Sequence, residues 1–535
     1  MHEKLLRRAC GPEARMCLLV AAVVVSDLLF GLAPSWSCAH LIAAGFVGWM
    51  AALCAPLFVF GKYSRPFYCL LFSFYLPCRI VCGFVKKNFG MMPGPDTIAI
   101  LKNSSWAEAK WFVGTYLDIW GLLASIAVAG CLAAVLFATA RLTGRIRGSW
   151  RKALLGCLLA LVFAGYLSLY RDAKTGVALS MPTLNLAISC FADGAKFDKL
   201  AGMKASPRFP DDIGPVAGYE KCTGVFVLGE SAARSHWSLY GYGRKTTPRM
   251  DGLESELAIF RDVVAPAPVT SRAMEYILTS ATVETPDRFE YTMPQAMAKC
   301  GYCVSLYSMH ERWANYGGTE TYVFAGCEPM EFVKETEGEH ILDDALLGRL
   351  DGFLQNAGGK SAVFLHMMGS HVPCGAQYPR AFARFGPAGG RQAGSSRKAI
   401  LTHEYDNSIL FTDYILGEIV DKLKKKGGPA WMVYVSDHGE TPGTKWRSRE
   451  SRDLWDVPMI VWLSDEYRRL HPDVVAALAV AAKLPLQSDQ LLPGILRIAG
   501  IRFSGGMDFT SGKFVPRTPR KINCGEDEYR WSGRR

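Results

Sequence analysis

The chain has 535 residues, of which 50% are apolar and 20% are charged. This composition excludes an intrinsically disordered protein, which would be rich in charge and poor in apolar residues. The formal net charge of +11 would suit nucleic-acid binding, but the basic excess lies mainly beside long apolar runs, and no RNP, zinc-finger or helix-turn-helix pattern is present. We therefore expect no nucleic-acid partner, and we assign the basic residues to membrane topology and anionic lipid headgroups.

Five apolar segments among the first 170 residues are long enough to cross a membrane, since a bilayer core of about 30 Å takes about 20 apolar residues in a helix. The segments lie at 16–33, 40–60, 66–85, 111–140 and 153–170. With the N-terminus inside, eleven basic residues fall in the inner segments and four in the outer loops. This bias supports that orientation, and an odd number of spans places the rest of the chain on the far side of the membrane.

The sequence therefore predicts a transmembrane domain of five helices at 1–170, a linker at 171–221 and an exported domain at 222–535. Seven of the 16 cysteines follow residue 170, and an odd number leaves at least one unpaired. Cys300 and Cys303 form the one C-x-x-C of this part. We expect a disulfide or two plain thiols there, not a thioredoxin-type centre.

From Thr223 onward, short β-branched runs alternate with helical stretches such as 406–425. The predicted strands lie at 224–228, 258–264, 302–307, 361–365, 431–435 and 457–463. This alternation predicts an α/β domain with a mostly parallel sheet and helices on both faces. In such domains the functional site lies beyond the carboxyl ends of the strands.

Metal-ligating residue types follow two of these predicted strands. Asp437 and His438 come directly after 431–435 and are followed by Gly439, which would allow a tight turn. Glu230 follows the first strand directly, although a glutamate there could also serve a helix N-terminus. Because carboxylate and imidazole groups bind Zn²⁺ and similar divalent ions, Glu230, Asp437 and His438 are candidate metal ligands.

Two histidines, His366 and His371, flank four residues at the end of another predicted strand. A lone histidine is usually structural, but a pair at a strand end is expected to face an anionic substrate or a second ion. His403 precedes a helical stretch, and for it a structural role and a functional one are equally good interpretations.

Several motifs together resemble the phosphoethanolamine transferases of Gram-negative inner membranes, which belong to the alkaline phosphatase/sulfatase superfamily. These motifs are the five spans, GESAAR at 229–234, a threonine after the second strand, HMMGSH at 366–371 and SDHGE at 436–440. The stretches 228–242 and 405–414 resemble the family as well. The resemblance covers essentially the whole chain. It implies a multi-pass protein of the bacterial inner membrane with a sulfatase-like catalytic domain in the periplasm.

The resemblance also implies roles for individual residues. Glu230, Asp437 and His438 correspond to the family's metal ligands, and Thr270 corresponds to its nucleophilic threonine, a further ligand. The cofactor implied is Zn²⁺ or another divalent metal such as Mn²⁺, with one or two ions. Ser231, next to Glu230, remains the alternative nucleophile.

Further positions are implied to contact the substrate. His371 corresponds to the family's phosphate-contacting histidine, and His366 is a further candidate for that role. Glu108 resembles the family's headgroup glutamate in the loop before the fourth span, and Asn103 matches a headgroup position more loosely. The family usually has another histidine shortly after its Asp-His-Gly-Glu. Here that stretch offers cations that bind phosphate well, namely Lys445, Arg447, Arg449 and Arg452. We take Arg447 as the candidate substrate-binding residue among them.

The implied reaction moves phosphoethanolamine from phosphatidylethanolamine to Thr270 and then to a lipopolysaccharide acceptor, a core heptose or lipid A. The lipid-A branch of the family has cysteines flanking its threonine, whereas Pro266, Pro268 and Tyr276 stand nearby in this chain. This difference favours the core-modifying branch, and both acceptors stay open.

Three other functions remain as alternatives. One is a phosphoglycerol transferase of the lipoteichoic acid or osmoregulated glucan type, another is a hydrolase of exported phosphoesters, and the third is a membrane scaffold without activity. Sulfatase activity is not expected, because the formylglycine signature Cys/Ser-x-Pro-x-Arg is absent from the sequence.

Overall fold

The structure is a computed structural model that describes residues 199–310, 319–337, 341–386, 396–442, 451–502, 508–511 and 514–530. The chain divides into two units, Met1–Asp193 and Gly194–Arg535, and every described residue belongs to the second. Within these ranges no helix is both long and apolar enough to cross a membrane. The five predicted spans lie outside the described residues.

A seven-stranded sheet forms the centre of the described domain. Its strands are β1 Thr223–Gly229, β2 Leu257–Phe260, β3 Cys303–Ser308, β4 Met330–Phe332, β5 Ser361–His366, β6 Ala430–Ser436 and β7 Met459–Leu463. They lie in the order β2-β7-β6-β1-β5-β3-β4. β7 runs in the opposite direction to the other six strands, so its pairings with β2 and β6 are antiparallel and all other pairings are parallel. The predicted mostly parallel sheet is thus confirmed. Every residue of the four strands β1, β5, β6 and β7 is buried, which explains their continuous apolar sequences.

Helices cover the sheet and connect its strands. They are α1 Pro248–Gly252, α2 Thr270–Leu278, α3 Met293–Lys299, α4 Thr319–Val323, α5 Val333–Glu337, α6 Ala345–Asn356, α7 Arg397–Lys426, α8 Asp465–Leu470, α9 Pro472–Ala481 and α10 Leu491–Ile498. The longest, α7, begins earlier than the predicted 406–425, because the Ser396 hydroxyl accepts the Ala399 N–H and caps its start. It ends at Gly427, which has a positive φ of 73°.

The strand register brings four strand ends to one level. His366, the last residue of β5, lies opposite Leu228 of β1 on one side and Ser308 of β3 on the other. Leu228 in turn lies opposite Val435 of β6. The residues that follow β1, β3, β5 and β6 therefore meet at the same edge of the sheet, where a parallel sheet places its functional site.

One predicted strand, 258–264, is in fact two. Only Leu257–Phe260 joins the main sheet, whereas Val263–Val264 pairs with Leu486–Gln487. The break falls at two charged residues, and the second, Asp262, binds the Arg520 guanidinium at 2.7 Å. The three-residue edge strand β4 was not predicted, because so short a run carries no clear periodicity.

The close packing of β1 on β6 gives a stability prediction. A Cβ at Gly224 would overlap the indole of the fully buried Trp431. Overpacking of this kind costs about 1–3 kcal/mol, so Gly224→Ala should lower the Tm of the protein. The control is Gly348→Ala in α6, where a Cβ would meet no described atom within 4 Å. There an alanine should stabilise the helix by about 0.5–1 kcal/mol. A Tm for Gly224→Ala equal to that of the parent would contradict the packing argument.

Candidate active site

Glu230 is held by a strained turn directly after β1. Ser231 has a φ of 56°, a left-handed conformation that is unfavourable for a residue other than glycine. The Ser231 N–H donates to Asp437 Oδ1 at 2.9 Å. The Tyr405 hydroxyl donates to Ser231 O and accepts the Ala233 N–H, each at 2.7 Å. These three bonds hold the turn in place and with it the Glu230 side chain.

Asp437 and His438 follow β6 at the same sheet edge. The His438 N–H donates to Asp437 Oδ1 at 2.6 Å, and His438 Nδ1 lies 2.7 Å from Gly439 O. Since a carbonyl can only accept, Nδ1 carries the ring proton and Nε2 carries a lone pair. A Cβ at Gly439 would overlap the carbonyl oxygen of Asp453. Glycine is required there because another chain segment approaches closely.

Three buried groups converge as a metal site would require. Glu230, Asp437 and His438 are fully buried, and one ligand atom from each lies within 4.8 Å of the others. His438 Nε2 lies 3.3 Å from Asp437 Oδ2 and 3.6 Å from Glu230 Oε1. Asp437 Oδ2 has no hydrogen-bond partner among the described residues. Electron-rich atoms in such proximity are unfavourable without a cation between them, and this donor set fits a divalent ion such as Zn²⁺.

Burial raises the pKa of both carboxyl groups. Burial, together with the nearby charge of Asp437, raises the pKa of Glu230 to about 8. Burial also raises the pKa of Asp437. A metal ion binds the ionised carboxylate, so its positive charge would stabilise the form that burial disfavours in both groups.

Thr270 lies beside these groups at the first position of α2. Its hydroxyl donates to Glu230 Oε2 at 2.7 Å, and Oγ1 lies 3.5 Å from His438 Nε2. The first N–H groups of a helix have no intrahelical acceptor and favour negative charge. The alternative nucleophile, Ser231, is buried and donates to the other oxygen of Glu230 at 2.5 Å. Thr270 is the more exposed of the two.

The histidines predicted at 366 and 371 both lie at this edge, and a third joins them. His366 is fully buried, and its ring stacks on that of His310 with centroids 3.9 Å apart and planes 2° apart. The rings of His310 and His371 have centroids 6.3 Å apart. Sequence reasoning did not select His310. Its position just after a predicted strand was the signal that could have found it.

Desolvation keeps the stacked pair neutral. Burial lowers the pKa of His310 to about 4, and burial followed by the proximity of His310 lowers the pKa of His366. Neutral imidazoles can bind a metal or donate one hydrogen bond to an anion, but they bring no positive charge of their own.

The segment between His366 and His371 packs on the backbone of Glu230. The Asp343 carboxylate accepts the N–H groups of Met368 and Gly369, both at 2.8 Å. Gly369 has a φ of 50°, and a Cβ on it would lie 2.8 Å from Glu230 O. The Ser370 N–H donates to that same oxygen at 3.0 Å. Glycine is therefore needed at 369 for both conformation and space.

The two longer stretches that resemble the family, 228–242 and 405–414, contact each other. The Asp406 carboxylate of α7 binds three side chains from the region after β1, which are His236 at 2.7 Å, Tyr242 at 3.0 Å and Arg244 at 2.6 Å. Ser408, also on α7, donates to the Ser370 hydroxyl at 2.9 Å. These residues position the site and do not line it.

The structure describes only some of the remaining predicted residues. Asn103, Glu108 and Arg447 lie outside the described residues. Arg452 binds the Asp456 carboxylate at 2.5 Å, and Arg234 binds the same oxygen at 2.6 Å, so Arg452 has a structural ion pair. The six described cysteines are all free thiols. At Cys300 and Cys303 the structure therefore has two plain thiols.

The Sulfatase family model matches residues 223–501. Phosphoethanolamine transferase EptC of Escherichia coli (strain K12) is 27% identical over 274 residues, which is 48% of this chain and 47% of that protein. The chain spans about half the length of the curated relatives it matches.

Two solved structures are similar in fold. The integral membrane protein lipooligosaccharide phosphoethanolamine transferase A of Neisseria meningitidis has a TM-score of 0.68 at 19% identity, covering 93% of this chain and 97% of its own. The zinc complex of the C-terminal periplasmic domain of EptC from Escherichia coli has a TM-score of 0.55 at 22% identity. The match covers 60% of this chain and 95% of that chain. The predicted resemblance to phosphoethanolamine transferases and the predicted sulfatase-like fold of the α/β domain are confirmed.

Removing one ligand from the site of Glu230, Asp437 and His438 should abolish metal binding at that site without unfolding the domain. Asp437→Asn or His438→Ala should weaken zinc binding by more than about 100-fold, since loss of even an outer-shell partner costs about 10–100-fold. Bound zinc after dialysis, together with the circular dichroism spectrum, checks this. Asp287→Asn is the control, because Asp287 forms an exposed ion pair with Lys199. Zinc content equal to that of the parent in Asp437→Asn would exclude Asp437 as a ligand.

The raised pKa of Glu230 gives a pH dependence for the metal-free protein. Between the ordinary value of 4.5 and about 8, Glu230 holds its proton when folded and loses it when unfolded. The free energy of unfolding should therefore fall as pH rises through this window, by at most about 1.4 kcal/mol per pH unit.

The measurement is the Tm against pH in a chelator, compared with Glu230→Gln, whose amide cannot ionise. The parent should lose stability relative to this variant as pH rises. Parallel Tm curves for the two proteins would show that the pKa of Glu230 is not raised.

Proposed function

The chain belongs to the sulfatase family, since the family model covers more than half of it. On this premise we propose that it is a membrane-bound phosphoethanolamine transferase that uses phosphatidylethanolamine as donor and lipopolysaccharide as acceptor. The relatives named as phosphoethanolamine transferases support this proposal, and so does the absence of a formylglycine signature from the sequence. The acceptor group is a core heptose or lipid A.

The proposed organisation follows from the hydropathy of the chain. Residues 1–170 form the transmembrane domain in the bacterial inner membrane, 171–221 the linker, and 222–535 the periplasmic catalytic domain. The similarity in fold to an integral membrane transferase over 93% of this chain supports this arrangement. Anchoring suits the reaction, because the donor is a lipid and the acceptor is also held in a membrane.

The observation that carries the proposal is the position of the Thr270 hydroxyl. It lies at the start of a helix, 2.7 Å from Glu230 Oε2 and 3.5 Å from His438 Nε2. A hydroxyl between a metal-ligand set and a helix N-terminus can be deprotonated and can face the oxygens of a phosphate group. Neither feature would be needed by a membrane scaffold without activity.

Glu230, Asp437 and His438 would hold the metal, with Thr270 as a further ligand. A divalent cation there, Zn²⁺ or Mn²⁺, supplies Lewis acidity that lowers the pKa of a nearby hydroxyl and offsets phosphoryl charge. In the first step the Thr270 hydroxyl gives up its proton to water, since a nearby cation would lower the pKa of that hydroxyl. Thr270 Oγ1 then forms a bond to phosphorus, the bond from phosphorus to diacylglycerol breaks, and diacylglycerol leaves with a proton.

The second step returns Thr270 to its starting form. An acceptor hydroxyl or phosphate attacks the phosphorus, the bond to Oγ1 breaks, and Thr270 regains a proton. His371, with His366 behind it, contacts the phosphoryl oxygens during both steps. Glu108, Asn103 and Arg447 contact the substrate, the first two at the donor headgroup and Arg447 at phosphate.

The nucleophile is tested by substitution at Thr270. Thr270→Ala should abolish transfer and the covalent adduct, because the whole covalent route is lost. Thr270→Ser should retain part of the activity, since a primary hydroxyl can make the same attack. Transfer is followed with fluorescent phosphatidylethanolamine and purified lipopolysaccharide, and the adduct by mass spectrometry of the peptide that contains residue 270.

Ser231→Ala is the matched control, because Ser231 donates to the other oxygen of Glu230. This variant should still form the adduct at Thr270. An adduct on a Ser231 peptide would make Ser231 the nucleophile. Release of headgroup from phosphatidylglycerol, or steady release of free phosphoethanolamine without acceptor, would replace the proposed reaction by phosphoglycerol transfer or hydrolysis.

A further inference from the structure

The domain holds a second group of metal-ligating side chains beside the first. We propose that His310, His366 and Glu230 bind a second divalent cation, with Glu230 shared between the two ions. One ligand atom from each of the three residues lies within 4.8 Å of the others. The inference concerns metal binding alone, so it stands apart from the identity of the substrate and from the transfer reaction.

The sheet itself brings the three residues together. His366 ends β5, and its partners in the neighbouring strands are Leu228 and Ser308. Residues two apart along an extended chain point to the same side. Glu230 follows Leu228 by two positions and His310 follows Ser308 by two, so both come to lie beyond His366, one from each side. This convergence results from the strand register, and no local sequence motif encodes it.

Hydrogen bonds orient both imidazoles in the way that metal-binding histidines require. Such a histidine usually donates one ring N–H to an oxygen of the protein, which leaves the other nitrogen for the metal. His310 Nε2 lies 2.9 Å from Met367 O, so Nε2 donates and Nδ1 carries the lone pair. His366 Nδ1 lies 3.1 Å from the Ser308 hydroxyl, which can accept its proton. His438 of the first site shows the same pattern with Gly439 O.

An unpartnered atom marks where the ion would lie. His366 is fully buried, and its Nε2 has no hydrogen-bond partner among the described residues. Buried polar atoms nearly always have a partner, and an exception calls for a physical reason. If the stacked rings of His310 and His366 served packing alone, apolar side chains would fill the same space without burying an unpartnered polar atom. A cation bound at Nε2 would satisfy the atom.

Two histidines and one glutamate are a known ligand set for a catalytic zinc that keeps a fourth position open. The two rings are now almost parallel, and they would have to tilt for their lone pairs to meet on one ion. Because one carboxylate has two oxygens, Glu230 can serve both ions.

The test counts metal ions on the full chain purified in detergent. After dialysis against excess zinc and then buffer, elemental analysis should find about two ions per chain in the parent. His310→Gln should retain about one ion, and His366→Gln should do the same. With Co²⁺ in place of zinc, the visible absorption of His438→Ala should be that of the second site alone. The test measures bound metal and not transfer activity. A wrong metal-site proposal can therefore be distinguished from a wrong assignment of the transfer reaction.

The matched control is His471→Gln. His471 is also a buried histidine with an aromatic stacking partner, Tyr219, and an Nε2 that lacks a described partner. It belongs to neither metal-ligating group, so this variant should keep about two ions. A parent with only one ion per chain would overturn the proposal without any variant. A folded His310→Gln that keeps two ions, as judged by circular dichroism and Tm, would overturn it as well.

Discussion

Burial of two carboxylates at one point is the constraint on which the rest of the domain depends. Glu230 and Asp437 are fully buried beside the lone pair of His438. Placing charges there without compensation costs several kcal/mol for each ion. A divalent cation removes this cost, and in its absence Glu230 takes up a proton, as its pKa of about 8 indicates. Folding and metal binding are therefore coupled through these residues.

The long helix α7 holds the strand ends in register with that site. Tyr405 binds the strained turn after Glu230, Asp406 binds the segment that follows it, and Ser408 binds the segment before His371. A displacement of a reacting group by about 1 Å can greatly lower the rate of the catalysed reaction. This explains why stretches that resemble the family extend well beyond the residues that could touch a substrate.

Sharing of Glu230 would join the two groups of ligands into one centre. Glu230 belongs to both groups, with Asp437 and His438 in one and with His366 and His310 in the other, and it also accepts the Thr270 hydroxyl. Phosphoryl transfer develops charge on several oxygens at once, and two nearby ions can stabilise the attacking and the leaving oxygen separately. The neutral imidazoles that line the site add no charge of their own, so the ions would supply the positive charge.

The sequence by itself determined the alternating α/β order and the mostly parallel sheet. It also selected Glu230, Asp437 and His438 as candidate ligands, because they come at the ends of buried apolar strands. It did not select His310, since a single histidine after a strand has no distinguishing local pattern. Its partners, His366 and Glu230, are distant in the sequence and meet it only through the strand register. The need for glycine at 439 was likewise visible only in the fold, because the atom that excludes a side chain there belongs to Asp453. Periodicity reports which face of a segment is buried, whereas contacts between distant segments depend on how strands pair, and only the tertiary structure decides that pairing.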